Sequence, residues 1–329
     1  MPEFPAAVHA AAVETDFSGV VTITRDTDVL AAAAYGLADQ ACEIPNSVTT
    51  RFGVASGAKG FTALTIMRLV ELGNLTLATT ARSVLVDDLP RIDDAVTIEH
   101  LLTHTSGIGD YIVDGEFDDW PFTVPPSALD STDAYLAVLD GHAQRAAPGT
   151  TFEYCDGAFV VLAVIAERVG GGAFPELVRE LVVEPAGLTG TGYLRMDELP
   201  SDTALGYLDD GRTNVDHLPV VGSGDGGIFT TAADIAALWR AVDAGEIVSA
   251  ATFAEMTRPH QDAAAHSSRY GLGFWLDETR DIVILEGCDA GVSFRSRHEP
   301  ATGITGTVLS NTTDGAWPVV RSLAAALDG

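Results

Sequence analysis

Apolar residues come in short blocks or alternate with polar ones near both ends of the chain, and recur every three to four positions through its middle. "SGVVTITR" (18–25) and "VLAAAAYG" (29–36) are short and apolar, and the acidic turn between them predicts a β-hairpin. Near the C-terminus "YGLGFWLD", "DIVILEG", "GVSFRSRH" and "GITGTVLSN" follow one another with links as short as "ETR" and "EPATG". Parallel strands need a crossover of about a dozen residues or more, so these strands are expected to pair antiparallel. Helical periodicity marks "FTALTIMRLVELG", "IEHLLTH", "STDAYLAVLDG", "GAFVVLAVIAERVGGG", "TTAADIAALWRAVDAG" and the closing "WPVVRSLAAALDG". The first of these stops at Gly73, and the fifth opens on Thr231 with Asp234 at capping-box spacing. Proline and acidic residues interrupt every periodicity in 110–131, which predicts a surface loop or lid.

These elements predict an α/β fold of the α+β type, with an antiparallel sheet built from both termini, flanked by helices and interrupted by an inserted helical subdomain. One domain is expected over 1–329, with the helical subdomain and lid loop within about 75–220. A hydrophobic content of 47% over 329 residues supports a core of that size.

Charge narrows the partners. The chain carries a net charge of −29, with 17 arginines and a single lysine, which argues against nucleic acid or an anionic membrane surface as a partner. No apolar stretch reaches the roughly 20 residues that span a bilayer, and the N-terminus has no basic region ahead of its apolar run. Cys42, Cys155 and Cys288 are far apart and in no metal-ligand spacing. A cytoplasmic location is expected from these features.

The single lysine, Lys59, follows Ser56 by three residues at the head of a strongly apolar helix, so both side chains share its first turn. A serine hydroxyl becomes a nucleophile when its proton is taken, and a lysine can take it only when neutral. Burial and the positive end of a helix both disfavour the ammonium. Ser-x-x-Lys alone arises by chance in average compositions, and a surface lysine on an amphipathic helix is the plain alternative.

Four strings, the first of them holding Ser56 and Lys59, sharpen the reading. "TTRFGVASGAKGFTA", "IEHLLTHTSGIGDY", "PGTTFEYCDGAFVVLAVIAERVGG" and "GDGGIFTTAADIAALW" occur in this order, and between residues 15 and 325 the chain resembles the serine β-lactamase and penicillin-binding-protein superfamily. More narrowly it is similar to the class C β-lactamase-like serine hydrolases, a branch that includes esterases and D-amino-acid peptidases. The resemblance implies an α/β sandwich with a helical subdomain and a cleft where three motifs meet. It also implies that Ser56 is the acylated nucleophile, Lys59 its partner base, and Tyr154 the group that passes a proton to the leaving group and activates the deacylating water. It implies no cofactor and no metal.

Two departures from that pattern bear on mechanism. The second motif is usually Tyr-x-Asn, and this chain has Tyr154-Cys155-Asp156. An ionised Asp156 near Lys59 stabilises the ammonium and moves base catalysis toward Tyr154. The third motif usually opens with a cation two residues before a glycine; counting back from "GVSF" puts Leu285-Glu286-Gly287 there, with the glycine kept and the cation lost. In that register the backbone N–H groups of Ser56 and Cys288 form the oxyanion hole. A shift of one or two residues moves the second donor to Asp289 or Ala290.

Rival chemistries fit less well. An α/β-hydrolase needs G-x-S-x-G, and Val54 stands where the first glycine belongs. His100 and His104 lie one helical turn apart, but Leu101 occupies the place of a zincin's glutamate. "GSGDGG" (222–227) lacks the Lys-Ser/Thr of a phosphate loop and reads as a tight turn, and "DGEFDDW" (114–120) reads as a solvated loop. Tyr111, Trp120, Phe122 and Trp275 are candidates for an acyl pocket. The expected function is a serine hydrolase that forms an acyl-enzyme at Ser56 and cleaves small neutral carboxylic esters or amides. A D-stereospecific peptidase or β-lactamase is the alternative enzyme, and a catalytically impaired binding or structural homologue the alternative outside catalysis.

Overall fold

Strands from both chain ends close into one sheet in the computed structural model, which describes residues 5–112, 124–263, 265 and 268–328. In chain order the strands are β1 (Gly19–Arg25), β2 (Asp28–Tyr35), β3 (Leu37–Asp39), β4 (Ile44–Pro45), β5 (Phe52–Gly53), β6 (Gly192–Tyr193) and β7 (Ile228–Thr230). They continue as β8 (Gln261–Ala263), β9 (Ser268–Tyr270), β10 (Trp275–Asp277), β11 (Val283–Asp289), β12 (Val292–Glu299) and β13 (Ile304–Ser310). The helices are α1 (Ala6–Glu14), α2 (Ala58–Glu71), α3 (Ala81–Leu85), α4 (Ile98–Leu102), α5 (Leu136–Leu139), α6 (Asp156–Gly170), α7 (Phe174–Val178), α8 (Ala232–Asp243), α9 (Ala250–Met256) and α10 (Ala316–Asp328).

The main sheet runs β2-β1-β13-β12-β11-β10-β9-β8, antiparallel throughout. The N-terminal hairpin joins the C-terminal meander through β1 and β13, in a register from Gly19 opposite Ser310 to Arg25 opposite Ile304. β1 is buried from Gly19 to Thr24 because both faces of the sheet are covered. On one face α1 and α10 pack Val8, Val319 and Leu323 against Val21 and Val308. On the other, α2 and α6 belong to the main core with Phe61, Leu64, Leu285, Phe294 and Leu309. A smaller sheet, β5-β7-β6, lies at the entry to α2.

α2 and α6 are apolar nearly all round, the composition of a helix sunk in a core. α6 is buried without interruption from Gly157 to Ala166 and ends on Gly171, whose φ of 76° supplies the left-handed cap. Among the described residues no single helix is long and apolar enough to cross a membrane; α6 and Phe174–Val183 pass such a test only together, bent by 80°.

Several local details depart from the sequence reading. "YGLGFWLD" is not one strand: β9 ends at Tyr270 and β10 begins at Trp275. The turn between them holds Gly273 at φ +84°, where a Cβ would lie 2.2 Å from the Ala63 Cβ, so a tight approach to α2 breaks the strand. Thr231 does cap α8, accepting the Asp234 N–H at 3.1 Å. The Asp234 carboxylate does not complete a box; it accepts from Gly190 N–H at 2.7 Å and the Thr191 hydroxyl at 2.8 Å. α1, α3, α7 and α9 had no predicted counterpart, being too short or too uniformly apolar to show a period. Within the expected lid, the acidic string 114–120 read as a solvated loop, with Trp120 and Phe122, lies outside the described residues.

Candidate active site

The first turn of α2 owes its position to small residues. Ala55 has a φ of +45°, a conformation costly for a non-glycine residue, and it opens the 3-10 turn Ala55–Gly57 that presents Ser56. A Cβ on Gly57 would stand 2.6 Å from the Phe294 ring and one on Gly60 2.3 Å from Leu285, so glycine lets the helix lie directly on β11 and β12. Gly287 completes the approach from the strand side, where a Cβ would come within 2.2 Å of the Val54 carbonyl oxygen and 2.6 Å of Ser56 N. The edge of β11 is therefore held beside the Ser56 backbone.

Lys59 is 2% exposed. Its Nζ donates to Ser56 Oγ at 3.0 Å, to Asp156 Oδ1 at 2.5 Å and to the Asp225 carbonyl at 3.1 Å. Three acceptors match the three protons of an ammonium. Burial opposes the charge, but Asp156, Tyr154 and Asp225 outweigh it and hold the Lys59 pKa well above its usual value. The neutral lysine favoured by burial alone is thus displaced by the ion pair.

Tyr154 is within hydrogen-bonding reach of both Ser56 and Lys59. Burial pushes its hydroxyl up to about 12 against the opposing pull of Lys59, with Asp156 adding to the rise. Its ring lies between His104, at a centroid distance of 4.4 Å, and Trp275, stacked at 5.7 Å. Asp156 opens α6, and the Asp110 carboxylate accepts the N–H groups of Asp156 at 2.7 Å and Gly157 at 3.0 Å. A carboxylate at a helix N-terminus is favoured by the orphan donors and the dipole there.

The sequence reading passed over two site residues, Asp110 and Asp225. "GSGDGG" is a tight turn, as expected, but its aspartate points inward, is buried, and accepts from the Tyr111 hydroxyl at 2.6 Å. Burial raises Asp225 to about 6 despite the nearby Lys59. The signal was the dense glycine: a Cβ on Gly224 would lie 2.0 Å from the Phe159 carbonyl oxygen, so the loop presses on α6. Asp289, half-buried on the lip, is raised by burial to about 7.

These groups meet in a cleft of about 300 Å³, lined by Ser56, Tyr154, Asp156, Asp225 and the strand edge Glu286–Asp289, with apolar walls that include Tyr111, Leu194, Met196 and Trp275. Leu285 turns away into the core, and Glu286 pairs with Arg295. Cys288 lines the cleft and donates to the Thr313 carbonyl at 3.3 Å, and burial pushes its thiol up to about 12. Cys155 is buried behind Tyr154 and Cys42 is exposed. His100 serves in the Thr97 capping box of α4.

The Beta-lactamase family matches this chain over residues 6–328. Esterase EstB of Burkholderia gladioli is 32% identical over 198 residues, covering 58% of this chain and 50% of EstB. The D-aminopeptidase of Cereibacter sphaeroides (strain KD131 / KCTC 12085) is 26% identical over 323 residues, covering 94% of this chain and 60% of the enzyme. The chain thus spans half to three fifths of the length of these curated relatives. The crystal structure of a penicillin-binding protein from Bacillus halodurans superposes with a TM-score of 0.90 at 34% identity, covering 97% of this chain and 99% of that one. From the match along nearly its whole length, the chain belongs to the β-lactamase family of serine hydrolases.

Proposed function

We propose that the protein is a serine hydrolase that forms an acyl-enzyme on Ser56 and cleaves small neutral carboxylic esters, with amides as slower substrates. The observation that carries this reading is the Ser56–Lys59–Tyr154 cluster at the base of an apolar-walled cleft. Because Lys59 is held as an ammonium, Tyr154 takes the Ser56 proton while Lys59 stabilises the phenolate. Ionising a hydroxyl of pKa about 12 at pH 7 costs about 7 kcal/mol, so the rate should climb with pH. The acyl oxygen sits against the N–H groups of Ser56 and Cys288, donors commonly worth about 3 kcal/mol each. Tyr154 then returns the proton to the leaving group and activates the water that releases the acid.

The charge of the cleft selects the substrate. Its described lining includes Asp156, Asp225, Glu286 and Asp289, and neither lysine nor arginine. A substrate carboxylate finds no lysine or arginine among the described lining residues, and an unpaired buried charge costs several kcal/mol. Penicillins should therefore be poor substrates. The same carboxylates favour a second reading, in which the acyl group carries an ammonium, as the name of the related D-aminopeptidase suggests for that enzyme. The net charge of −29 supports a small-molecule partner over nucleic acid.

The test compares kcat/KM for p-nitrophenyl butyrate, benzylpenicillin and D-alanine p-nitroanilide. The ester should exceed the penicillin by about 100-fold or more. A faster penicillin overturns the substrate reading, and a fastest anilide favours the ammonium reading.

A further inference from the structure

"THTSG" follows α4, and the geometry gives its histidine a role the reaction as written does not use. His104 is 1% exposed and has a φ of +54°, which turns both its carbonyl and its ring toward the chain segment entering α6. Its carbonyl accepts the Glu153 N–H at 2.9 Å, and its ring Nδ1 accepts the Cys155 N–H at 3.1 Å. One residue thus grips the backbone on either side of Tyr154, while its ring also lies 4.4 Å from the Tyr154 ring. A backbone N–H can only donate, so Nδ1 carries no proton and the ring hydrogen sits on Nε2, 3.1 Å from the Tyr270 hydroxyl. Tyr270 is 1% exposed, which keeps this pair away from solvent.

We propose that His104 is a positioning residue for acyl transfer: as the neutral Nε2–H tautomer, locked by Tyr270, it clamps residues 153–155 so that the Tyr154 hydroxyl stays in reach of Ser56. The inference rests on the reading of Tyr154 as the group that moves the Ser56 proton. Proton-transfer geometry is unforgiving, since a displacement of about 1 Å costs about 100-fold. Losing the Nδ1 acceptor leaves the Cys155 N–H buried without a partner, and the segment then shifts to find one.

Two amide side chains separate the acceptor from mere packing. His104→Asn puts an amide oxygen near the place of Nδ1 and suits the left-handed backbone; His104→Gln reaches instead toward Nε2 and abandons the Cys155 N–H. Each variant is titrated with a fluorophosphonate so that kcat for p-nitrophenyl butyrate is counted per active site, and KM is measured beside it. The expected result is a kcat lowered about 100-fold in His104→Gln with KM within about threefold, and recovered to within about tenfold of wild type in His104→Asn. Equal per-site kcat in all three proteins, or an Asn variant as impaired as the Gln one, overturns the proposal. Should either amide variant fail to fold, Tyr270→Phe removes the partner of Nε2–H and should lower per-site kcat by about threefold to tenfold; an unchanged kcat there overturns the tautomer lock. Tyr154→Phe separates the two levels. Wild-type turnover in that variant sinks the underlying reading of Tyr154, whereas an inactive Tyr154→Phe beside a fully active His104→Gln sinks the role of His104 alone.

Discussion

Asp156→Asn restores the amide usual at this place in the family and removes the charge that neutralises Lys59. At the observed 2.5 Å the pair interacts by about 7 kcal/mol at an effective dielectric of about 20. Removing one partner of a buried pair typically costs about 3–5 kcal/mol of stability, which denaturant unfolding at pH 7 should register. The kinetic consequence has the opposite sense. Asp156 raises the pKa of both Lys59 and Tyr154, so its loss lowers both. Lys59 starts well above its ordinary value, so its fall begins far from neutral pH and leaves it an ammonium there. Tyr154 then faces an unneutralised positive charge, and its hydroxyl drops from about 12. The rising limb of kcat/KM against pH for p-nitrophenyl butyrate should move down by about one unit or more, giving roughly tenfold faster acylation per unit at pH 7. A limb that stays in place, or moves to higher pH, refutes the tuning role of Asp156 and with it Tyr154 as the base.

Other perturbations act on separate parts of the account. Lys59→Arg keeps the charge, but a planar guanidinium cannot aim at Ser56, Asp156 and the Asp225 carbonyl together; esterase activity should fall by about 100-fold or more in a steady-state assay. Gly287→Ala drives a methyl group toward Ser56 N and the Val54 carbonyl, and kcat should fall about 100-fold while KM changes little. Asp225 has a folded pKa of about 6 against about 3.9 unfolded, so its ionisation destabilises the fold as pH rises from 4 to 8. Asp225→Asn should therefore gain stability relative to wild type over that range, by about 2 kcal/mol in urea unfolding at the two pH values.

Long apolar periods foretold the architecture: α2, α6, α8 and α10 and the strands β1, β2 and β11–β13 all follow runs long enough to reveal their spacing. Short elements such as α3, α9 and β8 did not, because helices of five and seven residues span fewer than two turns, a three-residue strand shows no alternation, and their burial comes from distant partners. At the site, Ser56 and Lys59 are neighbours on one helical turn, so local geometry alone brought them together. Asp225 lies 166 residues from Lys59 and meets it through its backbone carbonyl, which no residue type advertises. The His104 clamp was hidden likewise, since it runs through backbone N–H groups and depends on a positive φ at a non-glycine residue.

The central claim is an acyl group on Ser56, and rapid-quench mass spectrometry with p-nitrophenyl butyrate at limiting turnover tests it directly. Wild-type protein should carry one butyryl group, mapped to the peptide containing Ser56, that disappears at the rate of steady-state turnover; Ser56→Ala should carry none and release no nitrophenol above background. Turnover that persists in Ser56→Ala, or a butyryl group on any other residue that forms and decays at the catalytic rate, contradicts the account.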